Sequence, residues 1–157
     1  MNTISTQRDT AALRRLIQAS VKSLIRRSID LSRLYAHAAA TSEPGLRVVL
    51  RDHAATLDLV IGDLQAQLRG TGLKPSAHGS WRGRTRRQLA AWLMHATSRN
   101  GVAWIRLLGH HESALMLAFE QAIVSAPPEL ALTLRRQLPR LHGIHLDMDS
   151  LAGTTRY

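Results

Sequence analysis

An all-helical bundle is what this sequence predicts, on three observations. Apolar residues recur at spacings of three and four through four long segments. Those segments are separated by short stretches rich in Gly, Pro and Ser. No stretch alternates apolar and polar residues as a half-buried strand would. With 157 residues, the chain suits one domain, since domains commonly run ~100–150 residues.

Residues 1–7 are polar and read as frayed. The first helix is expected from about Arg8 to Ala40, with Leu13, Ile17, Ser20, Leu24, Leu31, Leu34 or Tyr35, and Ala38 on its inner line. The stretch TSEPG at 41–45 breaks it. Thr41 or Ser42 can cap the next helix, and Pro44 suits a first turn. The second helix then carries Leu46, Leu50, His53, Leu57, Ile61, Leu64 and Leu68 on one face, with Asp52, Asp58 and Asp63 off that line. Gly70 is expected to close it. Residues 70–83 have the composition of a linker, and at ~3.3 Å per extended residue they can cross the length of a bundle. A short extra helix follows over 84–98, with Leu89, Trp92, Leu93 and Ala96 inward.

The last two long helices begin at Gly101 and fold back at Pro127-Pro128. Ile105, Leu108, Leu115 and Phe119 form one apolar line, which Glu112 joins. Leu134, Leu138, Leu141 and Met148 form another, which His145 joins. Pro139 is expected to kink the final helix, and Gly153 to end it.

Composition removes several function classes. There is no cysteine, hence no disulfide, thiolate nucleophile or cysteine zinc site. No segment approaches the ~18 uninterrupted apolar residues of a membrane span, and the first residues carry no apolar leader core. A cytoplasmic, bacterial-type protein is the expectation. No nucleophile triad, phosphate-binding glycine loop or paired acid/base carboxylates occur. The net charge of +10 comes almost wholly from arginine, Lys22 and Lys74 being the only lysines. Arginine's planar fork suits carboxylates and phosphates, so nucleic acid or an acidic protein is a candidate partner. Nucleotide bias placing arginine on solvated faces explains the same composition. Arg82, Arg84, Arg86 and Arg87 make the start of the short helix the most basic spot, and an anion docking there would offset charge that opposes the helix dipole. No aromatic stacking platform or DNA-binding motif accompanies the arginines.

The informative residues are the polar ones in core slots. If the long crossing makes the second and third long helices parallel, His53 and Glu112 stand level within a few ångströms at ~1.5 Å per residue. The antiparallel final helix brings His142 and His145 to the same height. Tyr35 and, slightly off-face, Asp30 come from the first helix, and His111 lies near the inward edge. Asp147 and Asp149 point away from the core on spacing and read as solvated.

With Leu50-x-x-His53, a crossover, Glu112 and His142-x-x-His145, the chain resembles ferritin-like di-metal bundles. These supply one Glu from each of two helices and a Glu-x-x-His from each of the others. A closer resemblance is to uncharacterised bacterial ferritin-like four-helix-bundle proteins, carried by SEPGLRVVLRDHAATLDLVIGDLQAQLRGTGLKP, HHESALMLAFEQAI and LPRLHGIH. The resemblance implies a ferritin-like four-helix bundle with a long crossover and no established activity. Leu50 and His142 stand where that architecture has Glu, and the first helix offers none. One Glu and three imidazoles are too few carboxylates for two irons. The set His53, Glu112, His142 and His145 leaves three readings: a buried hydrogen-bonded cluster, a mononuclear site for Zn, Ni or Cu, or helix phases that expose some of them. A homo-oligomer formed by helix packing is a further expectation.

Overall fold

The structure is a computed structural model that describes residues 3–72 and 101–154. All regular structure among them is helical: α1 (Thr3–Thr41), α2 (Pro44–Arg69), α3 (Gly101–Ser125) and α4 (Pro128–Thr154). The expected short helix over 84–98, the linker beyond Gly72, and Arg82, Arg84, Arg86 and Arg87 lie outside the described residues.

Local chemistry sets the helix ends. At the α1–α2 corner, Ser42 does not cap α2; its Oγ donates back to the Ala38 carbonyl at 2.7 Å. Thr41 Oγ1 donates to the same carbonyl at 3.2 Å. Arg47 adds its guanidinium, Nε to Ala39 O at 3.2 Å and Nη2 to Ser42 O at 2.9 Å. The unpaired carbonyls at the end of α1 are thus satisfied, with a cation at the negative end of its dipole. Glu43 is the N-cap residue of α2 without a side-chain bond, and Pro44 takes the first helical position, where it forfeits no hydrogen bond. At the far end Gly70 keeps right-handed helical geometry, and the left-handed residue is Gly72, with φ of 81°. Gly70 thus closes α2 as its C-cap, as composition suggested, and the left-handed residue follows two positions later.

Two boundaries run longer than expected. The helix α1 starts at Thr3 rather than near Arg8, because nothing in TISTQ interrupts propagation once the helix is nucleated. The helix α4 continues through Pro139 as one element and passes Gly153 to Thr154.

Side-chain contacts give the helix directions. Arg47 reaches Ala39 O near the corner, while farther out Ser32 donates to Asp58 Oδ1 at 2.7 Å and meets Ala54 O at 3.4 Å, so α1 and α2 run antiparallel. Thr133 donates to Gln67 Oε1 at 3.3 Å, Gln137 to Asp63 Oδ2 at 3.0 Å, and His53 meets Asp147 at 3.1 Å; α2 and α4 are antiparallel too. With α3 and α4 folded back on each other, α2 and α3 point the same way. Gly101 starts α3 beside Leu46, where an added Cβ would lie 3.2 Å from Leu46 Cδ2. One continuous core results, built from Leu24, Ile25, Leu34, Leu50, Leu57, Leu64, Leu108, Phe119, Leu134 and Met148 among others. On α4 the buried line includes Gln137, while the expected Leu138 is only partly buried. Asp58 and Asp63, expected to be solvated, are exposed yet carry the inter-helix bonds above.

Leu57 is fully buried whereas Leu59, on the outer face, is 58 % exposed. Leu57→Ala is expected to lower the unfolding free energy by ~2–5 kcal/mol in urea titrations. Leu59→Ala is expected to change it by no more than ~0.5 kcal/mol.

Candidate functional site

The same helical phases that build the core bring one polar side chain from each helix to a single layer. From α1 comes Tyr35, fully buried; from α2, His53; from α3, Glu112; and from α4, His145. The Tyr35 hydroxyl donates to Glu112 Oε1. Glu112 Oε2 lies 3.1 Å from His145 Nδ1. The Tyr35 and His53 rings meet edge to face, with centroids 5.4 Å apart and planes at 85°.

Two of the four expected donors are deeply buried, His53 at 2 % and Glu112 at 3 % exposure, and His145 is partly buried at the bundle wall. His142 does not join them. It is exposed, because the inner line of α4 runs through Leu141, Ile144, His145 and Met148, and the residue after Leu141 turns outward. His111 is also at the surface, its ring edge-on to His110 at 5.7 Å. Among the described residues no three His, Asp or Glu side chains are gathered closely enough to hold a metal ion.

The structure adds two residues that were read as solvated. Asp147 and Asp149 are exposed on α4, yet each turns back to an imidazole. Asp147 Oδ2 lies 3.1 Å from His53 Nε2, and Asp149 Oδ2 lies 3.6 Å from His145 Nε2. Both imidazoles therefore have Nε2 on the carboxylate side. His145 Nδ1 meets Glu112, whereas His53 Nδ1 is buried without a hydrogen-bond partner. A signal for these aspartates exists in the sequence. His145 and Asp149 are four apart on one helix face, and the register that pairs Asp63 with Gln137 also pairs His53 with Asp147.

Electrostatics centres on Glu112. Burial pushes its carboxyl from an ordinary value of 4.5 up to about 7. The hydrogen bond and charge of His145 pull the other way, and the negative charge of Asp149 adds to the rise. Near neutrality the carboxyl thus exchanges a proton. When Glu112 is protonated, Oε2–H can donate to His145 Nδ1; when it is ionised, an Nδ1–H can donate to Oε2. Either state keeps the contact satisfied.

A folded-state value above the unfolded one means that the native protein holds this proton more tightly. The stabilising contribution is complete below about pH 4.5 and lost as pH rises through about 7. Its full size is on the order of 3 kcal/mol. Chemical denaturation across pH 4–8 is expected to show that decline in the native protein and a flatter profile in Glu112→Gln. Tyr35→Phe removes a donor to the carboxylate. It is expected to cost ~1–3 kcal/mol and to move the decline to higher pH.

No protein-family model matches the chain, and no curated protein or solved structure is significantly similar to it.

Proposed function

We propose that the protein is a ferritin-like helical bundle whose centre is reduced to a hydrogen-bonded Tyr–Glu–His layer. Its role is to hold the four helices in one register and to carry a single exchangeable proton. The supporting observation is the chain Tyr35–Glu112–His145, which joins three helices through one buried carboxylate and reaches the surface at Asp149. Two-metal redox chemistry is set aside on donor chemistry. Bridging two hard cations takes several carboxylates, and the layer holds one.

A second reading has its own observation. An imidazole whose Nε2–H is held by an aspartate presents Nδ1 as a lone pair, the usual arrangement around a metal-bound histidine. His53 has that form, with Nδ1 buried and unpartnered. One Zn²⁺, Ni²⁺ or Cu²⁺ held by His53, Glu112 and His145 would suit imidazole-rich ligation, and would require the three side chains to move together.

Metal analysis separates the two. Untagged protein is loaded with each of Zn²⁺, Ni²⁺ and Cu²⁺, dialysed, and measured by mass spectrometry of the elements. The hydrogen-bonded layer is expected to retain no stoichiometric ion. One ion per chain, lost in both Glu112→Ala and His145→Ala, would replace that reading with the mononuclear one.

A further inference from the structure

The first turns of α1 have no cover among the described residues. At about 1.5 Å per residue, the 39 residues of α1 run to roughly 58 Å, against roughly 39 Å for the 26 residues of α2. The two helices are level at the short Ser42–Glu43 corner, so the excess projects at the other end. Residues 6–16 are all exposed there. The projection is not polar throughout. Leu13 is 56 % and Leu16 69 % exposed, and Leu13 continues the inward line of Ile17, Val21, Leu24 and Ile25, of which Ile17 still packs against the core.

Two clefts flank this ridge. One, of about 800 Å³, lies between α1 and the facing ends of α2 and α4, lined by Leu13, Ile17, Val21, Leu68, Pro127 and Leu130. The other, of about 250 Å³, lies between α1 and the α3–α4 turn, where Leu16, Ala122, Ala126 and Leu134 contribute.

We infer that this end of the bundle is a homodimer interface, in which the α1 ridge of one copy packs into the larger cleft of a second. The same chain carries the apolar ridge and the apolar cleft beside it, so a two-fold axis fills both at once. Charge agrees. The cleft lining carries both Arg14 and Glu129, so a two-fold arrangement can set Arg14 of one copy against Glu129 of the other, while Arg8, Asp9 and Arg15 stand exposed along the ridge. The projecting turns extend a helix nucleated within the bundle, and their Leu13 and Leu16 gain little burial from the other helices. Cover by a partner supplies the missing burial.

Light scattering on the eluting full-length protein, from low to high protein concentration, reads the association directly. A concentration-dependent dimer is expected. Leu13→Asp and Leu16→Asp, both at exposed positions, are each expected to weaken it ~10-fold or more while leaving helical circular dichroism intact. Leu59→Asp, equally exposed on α2 but away from the ridge, is expected to dimerise like the native chain. Because the chain contains no cysteine, Leu13→Cys provides a clean second probe, and oxidation is expected to trap a covalent dimer. A monomer at every concentration overturns the inference. So does a dimer that both leucine substitutions leave untouched, which would place the interface elsewhere.

Discussion

The burial of one carboxylate governs how this bundle is put together. Glu112 occupies a slot on α3 between Leu108 and Leu115 that apolar packing alone would fill with leucine. A carboxyl removed from water is costly unless its oxygens find donors or it takes up a proton. Here both oxygens are engaged, one by Tyr35 from α1 and the other by His145 from α4. Sliding either helix by a turn would leave the group unpaired in an apolar core. Leucines tolerate such slips far better than directional bonds do, so the polar layer contributes register where the surrounding core contributes most of the stability.

The carboxyl is not isolated from solvent. His145, itself only partly buried, stands between it and Asp149 at the surface, whose Oδ2 lies 3.6 Å from Nε2. His53 meets Asp147 on its outer side and sets its ring against Tyr35, but makes no hydrogen bond into the layer. Both aspartates come from α4, two residues apart, and α4 thereby orients one imidazole of its own and one of α2. The asymmetry lies at the inner nitrogens, occupied in His145 and vacant in His53.

Helical periodicity made most of this legible before any coordinates. Leu50, His53, Leu57 and Leu64, and likewise Ile105, Leu108, Glu112 and Phe119, were placed inward by spacing alone, because a three-and-four repeat defines a face whatever its residue type. His142 was misplaced for a related reason. Height along the final helix puts it level with His145 but does not set its direction, and the apolar line of α4 already runs through Leu141 and Ile144 beside it. Asp147 and Asp149 were passed over because a backbone phase reports where Cβ points, not where a carboxylate bends back across the groove. The span of α1 was legible to within its first turn and the ends of α2 and α3 to within two residues, whereas the uncovered first turns of α1 show only once the helices are packed together.

The pairing of helices has a kinetic side. Each short corner makes a hairpin, α1 with α2 and α3 with α4, whose contacts are local in sequence and quick to form. The polar layer belongs to neither hairpin by itself: Tyr35 and His53 lie on the first, Glu112 and His145 on the second. Glu112 therefore stays hydrated until the hairpins meet, and its desolvation falls on the docking step. Proton uptake by Glu112 accordingly accompanies burial in the closed bundle rather than formation of the helices that compose it.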